Sequence, residues 1–331
     1  MKSYIIITSI FGPTEAVREF SKFNDFKLAV VGDLKSPEKW QNPNTTFLSI
    51  ADQEKMNSKL VKVLPYNHYC RKMMGYLYAI EKGAEVIIDT DDDNIPKENW
   101  HFPKFSGQFE CIQGDLGFIN IYNYFTDQAI WPRGLPLRLI NRGQLHNNIG
   151  CDCFNIGIWQ GLADEDPDVD AIYRLTSDKV CKFIDRAPLV LRKGTLTPFN
   201  TQNTAVIKEL FPLMYLPCHV TFRFTDILRG IVAQPIMWAA EYSLGFINAT
   251  VIQKRNPHDY FKDFISEIPM YLHVEKVAEL VDKVTKTSCS VKDNLFNSYV
   301  ELEKEEIIIS DELKILEAWL FDIDNITRLK Y

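Results

Sequence analysis

Four carboxylates within five positions, delivered by a β-branched apolar run, constrain this chain more than any other stretch. Val86-Ile87-Ile88 leads into Asp89-Thr90-Asp91-Asp92-Asp93-Asn94-Ile95-Pro96. The run has the length and composition of a buried strand, and Pro96 cannot continue a ladder. The acids therefore stand at a strand's C-terminal edge, the side on which open α/β sheets bind ligands. Their mutual repulsion is relieved either by full hydration or by a cation among them. One reading is a solvated acidic turn closed by Asn94 and Pro96. The other is an Asp-x-Asp motif, in which carboxylates hold Mg²⁺ or Mn²⁺ and the ion holds a nucleotide's diphosphate. The sixth position lacks Gly and no Glu closes the loop at the twelfth, which argues against an EF-hand.

The segments before the acids read as a nucleotide-binding α/β half. Tyr4–Ile7 is a buried strand, followed by a loop from Thr8 into a helix that starts near Glu15. Phe26–Val31 is a second strand and ends in Gly32-Asp33, whose carboxylate either receives a base or ribose or serves a plain turn. Thr45–Ser49 is a short third strand, Asp52–Leu60 reads as helical, and Asn67–Glu81 is an amphipathic helix. Arg71 and Lys72 fall in its first turn, where the helix dipole disfavours cations; the pair is either exposed or held by an anion such as a diphosphate. Neither Gly-x-Gly-x-x-Gly nor a Walker sequence follows the first strand, which argues against dinucleotide and P-loop enzymes.

Beyond the acids, Cys111–Tyr124 reads as β-rich and Trp131–Pro136 as a stiff turn that shapes a pocket wall. Asn155–Trp159 is a strand leading to a second acidic cluster, Asp164 to Asp170, which reads as a solvated face or as a source of catalytic carboxylates. Pro198–Thr204 gathers amides and hydroxyls ahead of an expected apolar helix, suited to a polyhydroxylated ligand or to a plain cap. Thr225 is a candidate N-cap with Asp226 in the first turn, beside a pocket loop carrying Arg223; a carboxylate there can deprotonate a hydroxyl. His258 sits in a loop between Pro257 and Asp259. From residue 262 onward the composition turns helical, most clearly at Val274–Val284 and Asp311–Phe321, so the chain divides into an α/β domain over 1–261 and a helical appendage over 262–331.

A formal charge of −7 and the lack of any Lys/Arg block argue against a nucleic-acid partner. Seven cysteines without a CxxC pair suggest neither a disulfide scaffold nor a zinc site and fit a reducing cytoplasm. No 18-residue apolar run occurs, so membrane contact is expected to be peripheral, at the inner face.

With these blocks laid out, the sequence resembles the STELLO family of glycosyltransferase-like proteins and, more distantly, the reversibly glycosylated polypeptides. The likeness is carried by Val30-Val31-Gly32-Asp33, by Arg71 to Ile80 leading into Asp89 to Asn94, and by Trp131-Pro132-Arg133-Gly134. It continues through Glu165 to Ile172, Pro198 to Thr204, Asp226 to Gly230 and Arg255 to Asp259. The resemblance implies a GT-A nucleotide-sugar-binding fold with a mixed central sheet and an Asp-x-Asp metal site. Two registers are open, Asp89-x-Asp91 and Asp91-x-Asp93, and His258 stands where many GT-A enzymes complete the coordination.

The function so implied is a Mn²⁺- or Mg²⁺-dependent transfer of sugar from a nucleotide donor, a UDP-sugar foremost, to a glycan or lipid-linked acceptor in surface-polysaccharide synthesis. Asp91, Asp93 and His258 would hold the metal. Thr8 and Asp33 would hold base and ribose, while Arg71 and Lys72, with Asp89 and Asp92, would line the diphosphate. Asp226, or else Asp166 or Asp168, would act as base. A nucleotide-sugar mutase and an assembly factor with a relict nucleotide pocket are the rival readings.

Overall fold

The structure, a computed structural model, describes residues 1–114, 116–141, 149–177, 179–255 and 259–328. Its first half alternates strands and helices: β1 (Ser3–Thr8), α1 (Glu15–Phe20), β2 (Phe26–Val31), β3 (Thr45–Leu48), α2 (Ile50–Glu54), α3 (Lys72–Glu81) and β4 (Val86–Thr90). Local chemistry sets the helix starts. Thr14 caps α1 by accepting from the Val17 amide, and Ser49 with Asp52 forms a reciprocal capping box on α2. Next come β5 (Asn94–Pro96), β6 (Ser106–Ile112), β7 (Gly117–Phe118), the 16-residue β8 (Ile149–Asp164), α4 (Ala171–Thr176), β9 (Leu189–Leu191), β10 (Thr195–Leu196) and β11 (Asn203–Ile207). The chain closes with α5 (Phe222–Ala239), β12 (Ser243–Gln253), α6 (Tyr260–Val284), α7 (Val291–Lys304) and α8 (Ser310–Arg328).

Ten of the strands form one mixed sheet in the order β3-β2-β1-β4-β11-β8-β6-β9-β12-β5. The first four run parallel, as crossover connections require, and β11 then enters antiparallel between β4 and β8. Its register sets Asn203 opposite Thr90, so the start of β11 and the end of β4 lie on one rim, where β1 also ends at Thr8. Side chains alternate along β1: Ile6 joins the core beneath the large helices, while Ile5 and Ile7 join a second core with Phe20 and Trp100 on the opposite face. Gly75 lets α3 lie directly on the sheet, since a Cβ there would stand 2.6 Å from both Ile6 and Val31 side-chain carbons. That contact fixes the height at which Lys72, the first residue of α3, meets the rim.

The helices expected after residue 262 are present, longer than their clearest periodic stretches, and they are built into the main core. Trp319 of α8 is fully buried, donates its indole N–H to the Pro212 carbonyl at 2.9 Å and packs edge-on against Tyr76 of α3. Asp322 accepts from the amides of Lys59 and Leu60 at 2.9 and 2.8 Å, and Glu312 accepts from those of Cys218 and His219 at 2.9 and 2.7 Å. Among the described residues, no helix is long and apolar enough to cross a membrane.

Several local expectations shift. The helix expected over Asp52–Leu60 is the shorter α2, because its capping box starts it at Ile50. The amide-rich 198–204 segment runs into strand β11 instead of a helix, because β4 and β8 supply ladder partners on both sides. The helix carrying Asp226 begins four residues before it, with Thr221 as N-cap, so Thr225 and Asp226 lie inside the helix.

Because α8 shares its core with α3, Trp319→Ala should lower stability by about 3–5 kcal/mol. Urea unfolding followed by far-UV dichroism and by fluorescence should show one transition with coincident midpoints for both probes in the parent protein.

Candidate functional site

The acids at the end of β4 divide between two environments. Asp89, still within the strand, points into the core and is fully buried. Its carboxylate meets Lys72 Nζ at 2.6 Å, Arg229 Nη1 at 2.9 Å and the Tyr76 hydroxyl, which donates at 2.6 Å. Asp91, Asp92 and Asp93 instead line a cleft at the sheet's rim whose empty volume, open solvent included, is about 820 Å³. Lys72 reaches Asp91 as well, at 2.9 Å, so one buried ammonium joins the structural acid to the cleft acid. Burial alone would lower the Lys72 pKa, but the two carboxylates hold it above its usual range and keep the side chain charged.

The cleft acids are strained electrostatically. Burial pushes the Asp91 carboxyl up to about 6 against the pull of Lys72, with Asp93 and Asp89 adding to the rise. Burial likewise raises Asp92, whose carboxylate accepts from the Ser9 hydroxyl, and Asp93, which accepts from Gln253 Nε2 at 3.3 Å. The other oxygen of Asp93 is buried without a hydrogen-bond partner. A hard divalent cation suits such a set: two oxygens of one sign, one of them unsatisfied, at the open end of a strand. Among the described residues, no three His, Cys, Asp or Glu side chains converge as a ready-made cage.

The opposite wall is built on the first turns of α5. Arg133 comes from the Trp131–Pro136 turn, which sits tightly on α5 because Gly134 has φ 91° and a Cβ there would meet Ile227 at 2.5 Å. Its guanidinium grips two carboxylates: Asp168 at 2.8 Å from both Nε and Nη2, and Asp226 at 3.0 and 2.8 Å. Arg223 continues the chain of charges, meeting Glu267 of α6 at 2.8 Å and Asp168 at 3.9 Å. Burial would raise the Asp168 carboxyl, but Arg133, Arg223 and Arg255 overcome it and hold it well below the carboxylate range. Asn200 donates to Asp168 at 2.8 Å, and Thr201 bonds the Tyr69 hydroxyl, so the floor between the walls is amide and hydroxyl.

The structure brings Thr8, Asp91, Asp92, Asp93, Asp168 and Asp226 to this one cleft. Thr8 donates to the Val31 carbonyl at 3.2 Å. Asp33, at the end of β2, stands outside the lining and accepts from the amides of Leu34 and His68 at 2.7 and 3.1 Å. Arg71 turns away from the cleft. Its buried guanidinium donates to Gln53 Oε1 at 2.9 and 2.6 Å and stacks on Tyr66, so helix α3 offers Lys72 rather than Arg71 to the acids. Of the two Asp-x-Asp registers, Asp89 is taken up by Lys72, Arg229 and Tyr76, which leaves Asp91-x-Asp93 facing the cleft. Asp166 pairs with Arg174 and, at 3.2 Å, with Arg255, and Asp170 caps α4, so the second acidic cluster is an ion-paired structure and not a solvated face. His258 lies outside the described residues.

Arg133, Arg229 and Gln253 were not apparent from sequence as site residues. Arg133 had a signal, a lone arginine in a stiff Pro-Arg-Gly turn. Arg229 had one only in retrospect: it lies about one turn beyond Asp226 on α5, buried, and needs the sheet in place to meet Asp89.

Comparison with known proteins agrees with the resemblance carried by the motifs. Residues 223–331, from α5 to the C-terminal helix, match the family model of STELLO glycosyltransferases. Across 97% of its length the chain is 25% identical to Probable glycosyltransferase STELLO1 and 24% identical to Probable glycosyltransferase STELLO2, both of Arabidopsis thaliana. It spans 44% of the length of each of these relatives, less than half.

The two environments of the acid run predict opposite responses to neutralisation. Asp89→Asn leaves Lys72 and Arg229 buried without their shared anion and should cost about 3–5 kcal/mol. Asp93→Asn removes a repelling, partly unsatisfied carboxylate and should leave the thermal midpoint unchanged or higher. Thermal unfolding of both variants, in buffer free of divalent cations, checks the contrast.

Proposed function

We propose that this STELLO-like chain is a metal-dependent glycosyltransferase of the GT-A type, taking a nucleotide sugar, UDP-linked in first instance, and passing its sugar to a hydroxyl of a glycan or lipid-linked acceptor. The observation that supports this best is the buried, unpartnered oxygen of Asp93 beside an Asp91 whose carboxyl is lifted to about 6, both at the mouth of a rim cleft. The similarity to STELLO1 and STELLO2, each named a probable glycosyltransferase, supports the same reaction class.

In this reading Asp91 and Asp93 hold the divalent ion. A divalent ion bound there would supply positive charge to offset that on a leaving nucleoside diphosphate. Lys72 fixes Asp91 from below, and its own tie to Asp89 keeps it from reaching into the cleft. Thr8 lies on the base and ribose side, where β1 ends. Asn200, Thr201 and Gln202 form the floor and offer amide and hydroxyl groups to sugar hydroxyls. Of the two carboxylates gripped by Arg133, Asp168 has too little proton affinity for a base and serves to orient the guanidinium. Asp226 faces the cleft, is aimed through both oxygens, and takes the acceptor's proton.

Calorimetry with UDP should show binding in the presence of Mn²⁺ that is lost with EDTA and weakened at least a hundredfold in Asp91→Ala and Asp93→Ala. Asp226→Asn should bind UDP normally yet lose about a hundredfold or more in transfer, the scale of a general base. UDP binding that ignores both the ion and Asp91 would overturn the proposal. Ring-size isomerisation of a nucleotide sugar without acceptor would redirect it to a mutase.

A further inference from the structure

The cleft is polar almost throughout. Among its described lining residues Phe222 is the one wholly apolar side chain, and Tyr69 is the only other aromatic. Phe222 is also 58% exposed. A single exposed Phe on an outer surface needs no account, but one set among carboxylates, guanidinium groups and amides does.

Its surroundings hold Phe222 in place without covering it. Tyr69 packs edge-on against it, with ring centroids 5.7 Å apart. Tyr69 is itself engaged elsewhere: its hydroxyl bonds Thr201, and the Lys72 ammonium lies 5.3 Å from its ring centroid. The backbone on either side of Phe222 is tied to α6, where Thr221 Oγ1 donates to the Ser266 carbonyl at 2.5 Å and the Arg223 amide to Ser266 Oγ at 3.3 Å. An edge-on neighbour takes up at most one face of the Phe222 ring, so an anchored aromatic face is left open in the cleft.

Position along the helix gives that face a role. Phe222 opens α5 and Asp226 follows four residues later, so the two stand on one side of the helix about 6 Å apart along its axis. Both line the cleft. A sugar ring resting on Phe222 therefore comes within its own width of the carboxylate proposed as base.

The composition of the cleft selects the occupant. A hydrocarbon would strip water from the surrounding polar groups and offer them nothing in return. A pyranose brings a rim of hydroxyls for those groups and a face of C–H bonds for one aromatic ring. A nucleobase also stacks, but in the proposed donor pose it lies by Thr8, at the end of β1. We infer that Phe222 selects the acceptor, and that the acceptor is a sugar whose C–H face stacks on Phe222 while one hydroxyl meets Asp226. The inference rests on the glycosyltransferase reading for the role of Asp226; sugar binding at Phe222 stands without it.

The test is saturation-transfer NMR on the full chain with UDP and Mg²⁺ present and methyl β-glucoside and methyl β-galactoside as probes. In the parent protein at least one glycoside should take up saturation. It should be stronger at the hydrogens of carbons three and five, which share one face of the ring, than at that of carbon two. Affinity, read by titration, should fall about threefold to tenfold in Phe222→Ala and Phe222→Leu and be kept in Phe222→Trp, because an aromatic face and not apolar bulk is required. No saturation of either glycoside, saturation even over both faces, or parent-like affinity in Phe222→Ala or Phe222→Leu overturns the inference. So does a fall in UDP affinity in Phe222→Ala with glycoside affinity intact, which assigns the ring to the nucleobase. The UDP resonances of the parent protein, and their dependence on Mg²⁺, measure the glycosyltransferase reading separately.

Discussion

One fully buried carboxylate, Asp89, sits between Lys72 of α3 and Arg229 of α5 with the Tyr76 hydroxyl as third donor. An isolated ion in that place would cost several kcal/mol, so the strand can end in acid only because two helices on the same face of the sheet bring cations to it. The arrangement constrains much else. It fixes how far α3 and α5 slide along the sheet, and it leaves Lys72 with a second free direction, toward Asp91. The acid run is thereby sorted within three residues into a structural anion and cleft anions. The end of β4 achieves this: Asp89 stays in the ladder and faces the helices, while Asp91 lies just past the last paired residue.

The far wall repeats the logic with the signs exchanged. Arg133 lies between Asp168 and Asp226, and Arg223 between Asp168 and Glu267, giving a row whose three inner ions, Arg133, Asp168 and Arg223, each have an opposite neighbour on either side. Such a row is costly to assemble and more costly to break, because truncating one member leaves the next uncompensated. What it yields is fixed orientation. Asp226 is held through both oxygens, and the turn that carries Arg133 is pinned to α5 through the Arg223 carbonyl.

Much of this was legible in the residues and some was not, for identifiable reasons. The strands β1, β2 and β4 are short apolar runs ending in turn or acid residues, and a period-two, fully buried element leaves little else to read. The acid loop was legible because repulsion among Asp91, Asp92 and Asp93 demands an account wherever it occurs. Arg71 and Lys72 read alike as neighbouring cations in a first turn, yet about 100° of helix rotation separates their directions. One meets Gln53 and Tyr66 and the other Asp89, which no local pattern reveals. The 198–204 segment read as a helix entry because its amides and hydroxyls suit a cap. Its fate was decided by β4 and β8, whose pairing residues lie at least 44 positions away in sequence, which left an edge on each side for β11 to fill.

The C-terminal helices complete the account of why the site is rigid. The segment that matches the STELLO family model, 223–331, contains no part of the acid loop. It contains α5 with Arg223, Asp226 and Arg229, then β12 with Gln253, then the helices that brace α5 from behind. Glu267 of α6 receives Arg223, and Trp319 and Glu312 of α8 bind the stretch just before α5. Movement of α5 would stretch the salt bridge to Asp89 on one side and the grip on Arg133 on the other. A helical segment that looks like an appendage in sequence therefore determines where both walls of the cleft stand, and the separation of the cleft acids from Asp226 is set by helix packing as much as by the sheet.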